Sequence, residues 1–249
     1  MKLRWIDCPT GSKPRWLGWL LLSWFLSADV TYAIDAPPPN GPASEHVIAD
    51  STYDTTPFAR SLDVNGTFAP FGSIYENGLR LRMTGSWSWY KFIVNDNPRT
   101  LGSGRGVEGD LLAGYGIVWP RVNLIGLIGP AFTESVDEGV RTTRSGVKSV
   151  VSFYARPTNQ TMAYGQAFYS TISRSYQIQA KVGLKMPGNL YLGPEVKIAG
   201  SSGNAQQRVG AHLTALPIGP VLISLSGGLA VDREMGPSHY FSVNLYSSF

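Results

Sequence analysis

From about residue 51 onward, apolar and polar side chains alternate with a period of two in one segment after another. That spacing separates the two faces of a β-strand, whereas a helix would scatter the same residues around its circumference. In Tyr176 to Met186, Tyr176, Ile178, Ala180, Val182, Leu184 and Met186 share one face and Gln177, Gln179, Lys181 and Lys185 the other. Leu79, Leu81, Met83, Trp87 and Trp89 oppose Arg80, Arg82, Thr84, Ser86 and Ser88 in the same way. Leu190, Leu192, Val196 and Ile198 oppose Tyr191, Glu195 and Lys197, and Val209, Ala211, Leu213 and Ala215 oppose Gln206, Arg208, His212 and Thr214. The pattern predicts strands near 51–59, 66–74, 79–94, 107–119, 121–131, 146–156, 161–172, 175–186, 190–200, 206–215, 220–231 and 239–249. This is an all-β chain of about twelve strands, or about ten if the first two do not span a membrane.

A soluble sandwich also alternates, so the connections matter. Those at 75–78, 120, 157–160, 187–189 and 216–219 are tight, those at 95–106 and 132–145 are long and polar, and those at 201–205 and 232–238 are intermediate. Short turns alternating with longer loops are the mark of an antiparallel transmembrane β-barrel. The last segment points the same way. Phe241, Val243, Leu245 and Phe249 line one face, Tyr240, Ser242, Asn244, Tyr246 and Ser248 line the other, and the sequence stops on Phe249. A terminal aromatic after alternating apolar residues resembles the signal by which bacterial barrel precursors are recognised for insertion, although Ser247 departs from it. Trp87, Trp89, Tyr115 and Trp119 are candidates for the interfacial aromatic girdles.

The first 33 residues read differently. A basic leader ends at Arg15, an apolar stretch runs from Trp16 to Leu26, and Thr31-Tyr32-Ala33 offers a cleavage site, so residues 1–33 are expected to be a secretory signal peptide cut near Ala33. The apolar stretch is too short to be a spanning helix, which needs roughly 20 residues. Residues 34–50, rich in Pro and small polar residues, are expected to be a flexible periplasmic tether ahead of an outer-membrane barrel at 51–249.

Composition supports this reading. Charged residues make up only 15 % and aromatics 12 %, with 28 glycines, which suits strands and turns. Four of the 21 basic and two of the 17 acidic residues lie in the leader, so the remainder carries a net charge near +2 and no nucleic-acid partner is expected. Cys8, the single cysteine, also lies in the leader, which excludes a disulfide from the mature part. Neither metal nor cofactor is expected, because His46, His212 and His239 are scattered and lack a carboxylate cluster.

The candidate functional residues are those whose phase points them inward: Arg80, Arg82, Glu108, Asp110, Lys148, Tyr154, Arg156, Lys181, Lys185, Tyr191, Glu195, Lys197, Arg208 and His212. Their mixed charges are expected to pair across adjacent strands as a salt-bridged filling. The functional alternative is a hydrophilic path or sugar-binding wall, with Tyr154, Tyr191 and Tyr246 as platforms for pyranose rings. Gly104 to Gly109 spells a dinucleotide-binding fingerprint, but that motif requires a strand before it and a helix after it, and here it runs into a strand. His212 with Thr214 and Glu195 could form the base and hydroxyl of a lipid hydrolase, yet the alternation points His212 away from lipid.

Several short stretches also match a known family. Asn77 to Arg82, Gly109 to Tyr115, Leu192 to Glu195, Gln207 to Ala211, and Ser226-Gly227-Gly228 followed by Asp232 occur in consistent order. From Tyr75 onward the chain resembles the cellulose biosynthesis protein BcsS family of exported α-proteobacterial proteins. The resemblance implies an accessory, non-enzymatic role in making or exporting cellulose or a related exopolysaccharide, with outer-membrane lipid, the polymer or the synthesis machinery as partners. It carries no catalytic residue. An outer-membrane lipid-modifying enzyme and a structural or adhesive barrel are the alternatives.

Overall fold

A computed structural model describes residues 45–96, 99–201 and 205–249. Twelve strands follow one another: β1 (Val47–Thr55), β2 (Ala59–Phe68), β3 (Gly78–Asp96), β4 (Arg99–Trp119), β5 (Val122–Asp137), β6 (Val140–Thr158), β7 (Thr161–Ser170), β8 (Ser175–Lys185), β9 (Tyr191–Gly200), β10 (Ala205–Ile218), β11 (Val221–Asp232) and β12 (Gly236–Ser248). Each is antiparallel to both neighbours, and β1 pairs with β12 from Ile48↔Ser248 to Thr55↔Phe241, so the sheet closes into a barrel. Beyond the seam Phe249 takes part as well, accepting the N–H groups of His46 and Val47 and donating its own to the carbonyl of Val47. Closure leaves no open edge, which hydrocarbon would not tolerate.

The outer face is apolar. Leu81, Met83, Val182 and Val196 stand exposed on it, each between buried polar or small neighbours, and Leu111 and Ile128 are exposed beside the buried Leu112 and Leu127. Tyr115 pairs with Leu79, and Trp89 lies ten residues further along β3, both rings being exposed. Ten residues span about 33 Å of strand, and a tilt of roughly 40° reduces this to about 25 Å, the height of a membrane band. Tyr115 and Trp119 thus mark one rim of the band and Trp87 and Trp89 approach the other.

Three features of the organisation differ from expectation. The segments 95–106 and 132–145 are not loops: β3 and β4 continue as one long hairpin, and β5 and β6 continue to a two-residue turn at Glu138 and Gly139, with Gly139 at φ 86°. Beyond the Trp89 rim the outer face of these extensions meets water, so polar residues such as Arg141 and Arg144 erase the sequence alternation without ending the strand, while Thr133, Ser135 and Asp137 stay buried on the inner face. The first hairpin is also shifted, since β1 turns at 56–58 and β2 ends at Phe68. Pro57 and Pro70 explain this, because neither can donate to a ladder. The Thr56 hydroxyl accepts the N–H groups of Phe58 and Ala59 and fixes the turn. The longest connection is therefore 69–77, at the barrel end that holds Phe249, and not on the opposite rim. The leader 1–33 and the first part of the tether lie outside the described residues, while Val47–Asp50, assigned to the tether, form the start of β1.

Candidate functional site in the barrel interior

The inner face combines an apolar cluster with a charged one. Leu112, Ile125, Leu127, Val150, Tyr154, Met162, Tyr164, Phe168 and Tyr191 pack together inside the barrel. Their strands carry apolar residues in both phases, as in Leu124 to Ile128, and loss of alternation within an apolar run is the signal of burial on both faces. Tyr154 belongs to this cluster at 2 % exposure, so its ring is a packing element rather than a platform for a sugar.

The charges beside it are arranged by size as much as by sequence. The Lys148 ammonium on β6 donates to Glu108 at 2.7 Å and Asp110 at 2.9 Å, both on β4. It reaches over β5 because the residues opposite there, Gly129 and Ala131, are small. Phe168 lies beneath the same ammonium, 4.9 Å from ring centre to Nζ. On the far wall Arg208 on β10 donates twice to Asp54 on β1, at 2.8 and 2.6 Å, and Lys197 approaches the same carboxylate at 3.6 Å. Arg208 also stacks over Tyr240, whose hydroxyl donates to Glu195 at 2.7 Å. Glu195 further accepts from Ser226 at 2.9 Å and faces Lys181 at 3.6 Å. Only Lys181 and Glu195 are directly opposite on neighbouring strands. The expected pairing along adjacent strands is thus mostly replaced by pairing over or across the lumen, which long side chains achieve in a narrow barrel.

Arg80 and Arg82 have other tasks. Arg82 donates to Asn65 at 2.9 Å, and Asn65 in turn donates to Asp50 at 2.9 Å. Arg80 is fully buried and donates to the carbonyls of Ser73, Ile74, Glu76 and Leu79. Those groups belong to or adjoin the 69–77 connection, which therefore folds inward over the lumen: Ala69, Ser73 and Ile74 are buried, and Ile74 packs with Ile48 and Tyr246. Ser73 and Ile74 bond the carbonyl of Glu45, and the Tyr75 hydroxyl meets that of Tyr246 at 3.2 Å. Burial pushes the Tyr75 phenol up from its ordinary range, so it stays protonated and able to donate.

Beside this latch the same end of the barrel holds a cavity of about 390 Å³, walled by Tyr191, Ala215, Pro217, Leu222 and Tyr246 and edged by Arg156 and Lys185. Of the eight cations in the inward set, these two alone have no side-chain hydrogen bond or ion pair among the described residues. His212 is elsewhere, with Nδ1 at 2.9 Å from the Thr214 hydroxyl and Nε2 at 3.2 Å from the carbonyl of Val182. Its ring is 1 % exposed and faces the interior. Gly104 to Gly109 lies within β4, and Gly104 is required there because a β-carbon would meet Tyr90 and Asp137. Tyr90 donates to Asp137 at 2.6 Å across that gap.

Asp50, Asp54, Asn65 and Tyr240, all central to the network, were not legible as site residues. Asp50 falls in the expected tether, Asn65 between the expected strands 51–59 and 66–74, and Asp54 in a segment with little apolar alternation, while Tyr240 is placed by its phase only on a face.

A closed sheet of twelve antiparallel strands, greasy outside and ion-paired within, has the architecture of outer-membrane β-barrels. The chain belongs to the cellulose biosynthesis protein BcsS family, whose model matches residues 59–249. Comparison with curated proteins finds no match. Among solved structures, the transport unit of the autotransporter AIDA-I from Escherichia coli is similar at a TM-score of 0.50 and 10 % identity, covering 96 % of this chain and 100 % of that one. The translocator domain of the autotransporter NalP from Neisseria meningitidis aligns at 0.48 and 12 %, covering 84 % and 90 %. A KdgM porin aligns at 0.46 and 9 %, covering 81 % and 99 %. The likeness to the AIDA-I unit is one of fold alone.

Proposed function

We propose that the protein is a non-enzymatic component of the outer membrane that supports cellulose production or export as a filled barrel. The observation that carries this reading is the interior itself. Lys148, Lys181, Lys197 and Arg208 are each held by a carboxylate, and Arg80 locks the 69–77 connection over one mouth. A lumen so occupied supports anchoring and contact better than passage of a glucan. In this reading the mouth cavity is the working surface. Tyr191 and Tyr246, like Tyr154, are packed below the surface, so the cavity works through Arg156 and Lys185, which offer uncommitted donors to hydroxyl-rich polymer or to a segment of the synthesis machinery. An exported precursor with both termini on the periplasmic side would place that cavity towards the machinery.

Deleting the gene and measuring cellulose by dye binding tests the role. Polymer should fall, and wild-type complementation should restore it while Arg156→Gln with Lys185→Gln restores it only in part. Unchanged polymer together with altered lipid acylation would replace this reading with a lipid-modifying enzyme.

A further inference from the structure

The barrel carries a second group of uncommitted cations, on its outer wall. Arg60 on β2 pairs in register with Trp89 on β3, and Trp89 with Arg105 on β4, so the three form one row across three strands. Lys91 follows Trp89 by two residues and therefore stands on the same face. All four are exposed, and the three cations make no ion pair or side-chain hydrogen bond among the described residues. They border a groove of about 750 Å³ that the 56–58 turn closes on one side, with Tyr53 and Phe58 in its wall. The Lys91 N–H donates to the Phe58 carbonyl at 2.8 Å, which ties that turn to the β3 edge of the groove. Glu138 is the one carboxylate at the groove, so the lining remains net positive.

What lies next to the groove decides what it takes. The adjacent row towards the Phe249 end is Tyr53, Leu62, Trp87 and Val107, all exposed and apolar or aromatic, and it begins the membrane band. A ligand seated here meets positive charge in the interface and hydrocarbon directly beneath. A soluble anion would use only the first, whereas a lipid uses both.

We propose that Arg60, Lys91 and Arg105 form a binding site for the phosphate groups of a phosphorylated glycolipid whose acyl chains lie over Tyr53, Leu62, Trp87 and Val107. Three cations around one groove match the charge of two phosphates, each roughly −1.5 to −2, better than that of one. Trp89, between the two arginines, supplies the amphipathic ring that sits at headgroup level. The site rests on the barrel alone and is independent of the role in cellulose production.

The test uses the full chain purified in detergent and titrated with bisphosphorylated lipid A, with phosphatidylglycerol and with inorganic phosphate, bound lipid being read by native mass spectrometry. Lipid A should bind, and the triple change Arg60→Gln, Lys91→Gln, Arg105→Gln should weaken it about a hundredfold, from about tenfold or less per charge at an interface. Exchanging the same positions for the other basic residue (R60K, K91R, R105K) should keep most of the binding, and far-ultraviolet circular dichroism of both variants should match the parent. Equal retention of lipid A by the triple Gln variant overturns the proposal. So does binding of phosphatidylglycerol or inorganic phosphate as tightly as lipid A, because the site would then read a single phosphate rather than the glycolipid.

Discussion

Lys148 shows how much of this interior depends on a single side chain. Its ammonium pairs with both Glu108 and Asp110, and all three are buried, so removing it strands two carboxylates away from water. Lys148→Met should destabilise the folded barrel by about 3–5 kcal/mol, read as a lower urea midpoint in detergent micelles. Adding Glu108→Gln and Asp110→Asn should recover most of that loss, because the charges that need a partner are then gone. If the triple variant is as unstable as the single one, Lys148 matters through packing against Phe168 rather than through charge. Arg80→Ala should act differently. Four carbonyls lose their donor at once, so the 69–77 connection should open to protease while the strands stay protected.

Among the elements, the outer band sets a depth scale that can be checked. Leu111 pairs with Met83, about midway between the Tyr115 rim and the Trp89 rim, and both are exposed to lipid. Leu111→Arg should therefore cost about 2–4 kcal/mol in a bilayer, and Tyr115→Arg about 1 kcal/mol or less. Reversible unfolding from lipid vesicles measures both, and equal penalties would mean that the band is misplaced. The strands most visible in the sequence were those whose two faces meet different media inside this band, such as 176–186. Legibility failed where that contrast is absent. Arg141 to Gly146 is polar in both phases because it stands above the rim, and Leu124 to Ile128 is apolar in both because lipid lies on one side and the packed cluster on the other. Trimming the raised parts of the β3–β4 and β5–β6 hairpins should leave insertion intact, seen as an unchanged heat-modifiable band on gels. Loss of that band would show that the extensions help close the barrel.

For the whole molecule, a filled lumen and a latched mouth make a definite electrical statement. The purified barrel in a planar bilayer should be silent, and a variant lacking 70–76 with Arg80→Ala should begin to conduct if the latch is what closes that end. Steady conductance from the wild type would overturn the filled-barrel reading. By itself the sequence determined that the chain is a closed antiparallel barrel with one greasy and one wet face, because alternation is local and needs only the side-chain period of a strand. It also determined which cations point inward, since phase fixes direction. Only the tertiary structure decided which of them are spent. Lys148 reaches over β5, Arg208 finds Asp54 past two strands, and Arg156 and Lys185 are left free at the same mouth. Those pairings depend on register, on small residues such as Gly129 that leave room, and on a barrel narrow enough to span, none of which a single strand encodes.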